Sequence, residues 1–128
     1  EGVPTSLPSL VKSYRIQDKA RNSGFDWNQR HDVWAKVKEE LTELEVEIEK
    51  LDEDKTEAEF GDLLFSIINA VRLYKVNPDN ALERTNKKFI YRFNYMEQKV
   101  KEEGKQLNQL SLEEMELIWQ EAKDTEIK

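Results

Sequence analysis

Three features of the sequence predict an all-α helical bundle. Apolar residues recur at steps of three and four, as in Val37, Leu41, Leu44, Ile48 and Leu51, which is the spacing of one helix face. Caps, first-turn prolines and terminal glycines punctuate the chain as helix starts and stops. No stretch repeats the apolar and polar alternation of strands.

The first helix is expected over residues 8 to 22, capped by Thr5 or Ser6, with Pro8 in its first turn and Gly24 ending it. Leu7, Leu10, Tyr14 or Val11, and Gln17 begin its inner face. Phe25, Trp27 and Trp34 bracket the polar link Asp26 to Asp32 and read as core or lid packing. A second helix runs from about Gln29 to Leu51, with the Val37 to Leu51 seam inward. Asp52 to Lys55 read as a charged connector to a third helix over about 55 to 75, which is apolar nearly all round and therefore expected to be buried. Gly61 inside it costs about 1 kcal/mol against alanine, which points to close backbone approach or tight packing. Asn77, Pro78 and Asp79 open a fourth helix to about Glu103, its inward seam being Leu82, Phe89, Phe93, Met96 and Val100. Gly104 ends it, and Ser111 with Glu114 makes a capping box for a short last helix bearing Met115, Leu117, Ile118 and Trp119.

Composition narrows the function. At 128 residues the chain is expected to be one domain, residues 1 to 128. A net charge of -7 weighs against nucleic acid or anionic membranes as primary partners. The absence of cysteine excludes disulfides, thiolate metal sites and cysteine nucleophiles. No apolar run approaches the roughly 18 residues of a membrane span, so a cytoplasmic protein is expected. Glu1 in the place of a methionine suggests a fragment of a longer chain.

Two carboxylate pairs carry the chemistry. Glu40 and Glu43 stand three residues apart, as do Glu59 and Asp62, so each pair shares a helix face. Glu59, Asp62, Ser66 and Asn69 draw one polar stripe down the otherwise apolar third helix. Desolvating a carboxylate costs several kcal/mol, so a compensating cation is expected there. Glu39 is expected to face solvent, whereas Glu47 lies on the pocket side as a spare ligand or a flanking charge. Oxygen donors without cysteine, and with His31 as the one histidine, suit hard ions, Mg2+ first and Mn2+ as a substitute. No glycine-rich phosphate loop or serine-triad elbow is present. Lys88 and Arg92, one turn apart, are either surface cations or a pair acting on one anion. Together these residues suit metal-assisted phosphoryl hydrolysis.

The run Lys38-Glu39-Glu40-Leu41 to Glu43-Leu44, followed by Glu59-Phe60-Gly61-Asp62-Leu63-Leu64-Phe65-Ser66 with Asn69 and Arg72, resembles the MazG family of nucleoside triphosphate pyrophosphohydrolases. Gly24-Phe25-Asp26-Trp27, Asn77-Pro78 with Ala81-Leu82, Lys88-Phe89 with Arg92-Phe93, and Trp119 extend the likeness over about Leu7 to Lys123. The resemblance implies an all-α pyrophosphohydrolase bundle that forms a homodimer. It also implies cleavage of a nucleoside triphosphate between its α and β phosphates, giving the monophosphate and pyrophosphate. By motif match, Glu40, Glu43, Glu59 and Asp62 become the catalytic magnesium ligands, Lys88 and Arg92 the phosphate contacts, and Trp119 a neighbour of the nucleotide. Asn69 is implied to support the substrate or orient a ligand. Members often carry two such domains, and Gly2-Val3-Pro4 to Leu7-Pro8 resembles the start of the C-terminal copy.

Two other readings share these residues. One is a specialist for dUTP or dCTP, since base choice depends on a few pocket contacts. The other is a non-catalytic helical module whose acidic cluster holds a structural ion.

Overall fold

A computed structural model describes residue 3 and residues 6–25 and 30–126, with the side chains of 30 and 31 excepted. Asp26, Trp27, the Thr5 cap and the His31 side chain lie outside the described residues. Among the described residues five α-helices follow in order: α1 (Ser9–Asn22), α2 (Arg30–Glu49), α3 (Glu53–Leu73), α4 (Pro78–Glu102) and α5 (Leu112–Thr125), with a 3-10 turn at Leu107–Gln109. Among the described residues there is no strand, as the all-α expectation requires. No helix among them is long and apolar enough to cross a membrane.

The punctuation read from sequence is largely what ends and starts these helices. Gly24 at φ 93° and Gly104 at φ 73° take the left-handed conformation after α1 and α4. Each lets the next amide, Phe25 N or Lys105 N, reach back 2.9 and 3.0 Å to Ala20 O and Val100 O, closing both helices in the same six-to-one pattern. Asn77 Oδ1 accepts from the amides of Asp79 and Asn80, and Ser111 and Glu114 exchange both bonds of the capping box. Two expectations are corrected. Pro8 itself occupies the cap position of α1, with no side-chain cap. Asp52 to Lys55 are the start of α3, Asp52 accepting the Lys55 amide at 3.0 Å.

The chain divides into two compact units, residues 1–81 and 82–128. In the first, α2 and α1 both pack against α3. The residues buried there are Val33, Leu44, Ile68 and Ala70, together with Gln17, Glu40, Ser66, Asn69 and Arg72. In the second, Met96 and Val100 of α4 and Ala122 of α5 are buried, and Lys99 of α4 pairs with Glu121 of α5.

The faces that point inward differ from the expected ones. On α2 the covered positions are Val33, Lys36, Val37, Glu40, Leu44 and Glu47, so Val37 and Leu44 face inward as expected while Glu40 and Glu47 are covered in place of Leu41 and Ile48. Leu41 and Ile48 are each 45% exposed, and Leu51 is 86% exposed at φ 59°. On α3 Ser66 and Asn69 of the polar stripe are buried and Glu59 is half-buried, Asp62 is exposed, and Phe60, Leu64, Phe65 and Ile67 face out. The helix is therefore not buried all round. Gly61 meets nothing within 4 Å of where a Cβ would stand, so close approach within the chain does not explain it. On α4, Leu82, Phe89 and Phe93 are exposed rather than inward. Both units thus leave apolar surface uncovered, and the first spends part of its interior on polar groups.

Candidate active site

The polar interior of the first unit is an acidic cluster. Because α2 and α3 lie side by side, the turn of α2 holding Glu40 and Glu43 meets the turn of α3 holding Glu59. One carboxylate oxygen from each of these three residues lies within 4.8 Å of the others, close enough to share a metal ion. Asp62 is exposed and stands outside this trio. It lines, with Glu40, Lys36, Ser66 and Asn69, an adjoining cavity of about 240 Å3.

Lys36, four residues before Glu40, donates to Glu40 Oε1 at 2.9 Å. The opposite oxygen, Glu40 Oε2, is buried without a hydrogen-bond partner, and so are Glu47 Oε2 and Glu59 Oε2. Leaving such oxygens unmet costs roughly 1–3 kcal/mol each or more when charged. Hard divalent ions take oxygen donors of this kind, so the residues fit one.

The charges raise one another's affinity for protons. Glu43 is held above the ordinary carboxyl value mainly by the charge on Glu40, then by burial and by Glu59 and Glu39. Glu59 is raised first by burial, then by Asp62, Glu40 and Glu47. Lys36 is raised by its bond to Glu40. Glu39 is exposed and approaches only Lys36 among these, at 3.6 Å.

Deeper on α3, Asn69 Oδ1 accepts from Arg72 Nη2 at 2.8 Å. With its oxygen engaged, Asn69 offers the cavity its amide nitrogen, a donor. Ser66 Oγ donates to Leu63 O at 2.7 Å and Gln17 Nε2 to Phe65 O at 3.1 Å, fastening α3 and α1 around the cavity wall.

The remaining expected site residues belong to the second unit. Lys88, Arg92 and Trp119 come together around a cavity of about 370 Å3, with Thr85, Phe89 and Lys123. The Arg92 guanidinium lies 5.6 Å from the Trp119 ring centre, and Phe89 meets the same ring at 5.2 Å. A larger cavity of about 770 Å3 is lined by Lys88 and Arg92 with Arg84, Lys87 and Lys123, so cations dominate this face of an acidic chain.

Lys36 and Lys123 were missed from sequence, and each had a signal. Lys36 precedes Glu40 by one turn, and Lys123 follows Trp119 by one turn.

Comparison with known proteins identifies the family. Residues 29–96 match the model of the MazG nucleotide pyrophosphohydrolase domain, a stretch running through both units. A protein named nucleoside triphosphate pyrophosphohydrolase/pyrophosphatase MazG from Thermotoga maritima is 41% identical over 117 residues, covering 91% of this chain and 45% of that protein. The nucleoside triphosphate pyrophosphohydrolase of Escherichia coli K12 is 38% identical over 129 residues, covering 99% of this chain and 49% of that protein. The chain therefore spans about half the length of the curated relatives it matches so broadly. YabN of Bacillus subtilis is 51% identical over 74 residues, 58% of this chain. On the matched domain and the breadth of these identities, the chain belongs to the MazG nucleotide pyrophosphohydrolase family.

Proposed function

We propose that this chain hydrolyses nucleoside triphosphates between the α and β phosphates, yielding the monophosphate and pyrophosphate, with Mg2+ as its ion and Mn2+ as a substitute. The observation that carries the reading is the trio Glu40, Glu43 and Glu59 within 4.8 Å, with buried oxygens of Glu40 and Glu59 that no described residue satisfies. The names of the Thermotoga and Escherichia relatives support the reaction class.

Glu40, Glu43, Glu59 and Asp62 are the residues we assign to hold the metal. When bound, a divalent ion neutralises polyphosphate charge and acidifies water. Lys36 holds one oxygen of Glu40, leaving the other for the ion. A carboxylate of the set takes the proton of the attacking water, and the α–β phosphoanhydride bond breaks. Lys88 and Arg92 steady the charge that develops on the departing pyrophosphate. Asn69, its oxygen fixed by Arg72, donates to a substrate oxygen. Trp119 stands beside the nucleotide. The two units act as one domain, and a homodimer covers the apolar faces of α2 and α3.

Incubation with Mg2+ and a panel of ribo- and deoxynucleoside triphosphates tests this. Pyrophosphate release by the wild type, and its loss in folded Glu40→Gln and Asp62→Asn variants, is expected. A wild type inert toward every triphosphate refutes the reading. Equal kcat/KM across the bases excludes a dUTP or dCTP specialist. Metal-dependent melting without turnover would instead indicate a structural ion.

A further inference from the structure

The cationic face of the second unit contains one acid in its lining, Glu126, just past the end of α5. Trp119, Lys123 and Glu126 follow one another at steps of four and three, so they continue a single face of that helix. Glu126 accepts from Arg92 Nη2 at 3.0 Å, and the two side chains are only 13% and 16% exposed. The Trp119 ring lies against the same guanidinium. Arg92 is thus restrained at one nitrogen by a carboxylate and across one face by an indole, with Nη1 left to meet an anion.

A carboxylate at the C-terminal end of a helix sits against the negative pole of the helix dipole, an unfavourable place unless a cation compensates it. Arg92 is that cation. Glu126 is also largely covered, and every other charged residue lining the cavity is a cation, so nothing there repels it from the pair. It is therefore poorly suited to be displaced by an incoming phosphate and well suited to hold the guanidinium still. The neutralisation of Arg92 costs the face little attraction, because Arg84, Lys87, Lys88 and Lys123 remain, and none of these four has an ion-pair partner among the described residues.

We propose that Glu126 is a positioning residue that orients Arg92 toward the phosphates of the substrate. The inference rests on the reading of Arg92 as a phosphate contact given above.

The test is binding of inorganic pyrophosphate to the whole chain by calorimetry with Mg2+ present, a readout independent of turnover. Glu126→Ala is expected to weaken binding about five- to tenfold, the scale of the net worth of one hydrogen bond, since the effect on the phosphate is indirect. Glu126→Gln, which keeps an oxygen for Nη2, is expected to recover most of that affinity. Glu126→Asp, which keeps the charge but draws it back by one methylene, is expected to bind less well than Glu126→Gln. In an Arg92→Ala background Glu126→Ala is expected to add nothing. Tighter or unchanged binding in Glu126→Ala, full affinity in Glu126→Asp, additive effects in the double variant, or no pyrophosphate binding by the wild type would each overturn the proposal. Should Glu126→Ala not fold, the order of the Asp and Gln variants decides. Pyrophosphate binding that follows this order in a chain that hydrolyses nothing supports the positioning role and ends the hydrolase reading alone.

Discussion

Glu40→Gln separates the cost of the acidic cluster from its use. In the metal-free protein Glu40 is 8% exposed in its side chain, has one oxygen bonded to Lys36 and the other buried without a partner. The substitution forfeits an i,i+4 ion pair worth about 0.3–0.5 kcal/mol. It also removes a buried charge whose unmet oxygen costs roughly 1–3 kcal/mol. Metal-free Glu40→Gln is therefore expected to melt at or above the wild-type temperature. Magnesium reverses the order: at a hundredfold excess over Kd a bound ion stabilises the fold by about 2.7 kcal/mol. For 128 residues the unfolding entropy is about 0.27 kcal/mol/K, so the wild type should gain about 10 °C. The variant, short of a central ligand, should gain little. Differential scanning calorimetry of both proteins in EDTA and in Mg2+ measures all four values. An equal magnesium shift in the two proteins, or a metal-free variant that loses several degrees, refutes the reasoning.

Other outcomes follow from the same geometry. Glu43 and Glu59 have carboxyl groups raised in the folded chain, so the fold binds more protons than the unfolded chain just above the ordinary carboxyl pKa. Metal-free stability is then fully present below that value and falls as pH rises through the raised values; urea melts in EDTA from pH 4 to 7 should show this fall, and a rise would contradict it. Leu51→Gly relieves a left-handed backbone at an exposed side chain and should raise stability by roughly 0.5–1 kcal/mol in chemical denaturation, after glycine's extra chain entropy is deducted from the left-handed penalty. Leu64→Glu, on the outward face of α3, should leave a folded chain of monomeric mass by light scattering, against the dimeric mass expected of the wild type.

Helix starts and stops were legible because they depend on neighbours in sequence. The glycine closures after α1 and α4, the Asn77 cap and the Ser111 box each involve a few consecutive residues. Which face turns inward was less legible. On α2 the expected apolar seam and the covered one share Val37 and Leu44, and part where Glu40 and Glu47 are covered in place of Leu41 and Ile48. A rule that sends apolar residues inward chooses the first, whereas the described chain buries part of the second. The polar stripe of α3 was legible because Ser66 and Asn69 interrupt so apolar a helix. Glu126 was not, and Arg72 stood out only within the family motif, since each matters through a bond whose geometry only the folded chain defines.

Only Lys50, Leu51 and Asp52 join α2 to α3. A connection this tight has no slack with which to absorb an added or missing residue. One residue inserted at the head of α3 would advance the helix by about 100° and 1.5 Å, carrying Glu59 off the side on which Glu40 and Glu43 wait. The meeting of the three carboxylates is thus also a matter of counting: the number of residues between Glu43 and Glu59 is as much a part of the proposed metal site as the acids themselves.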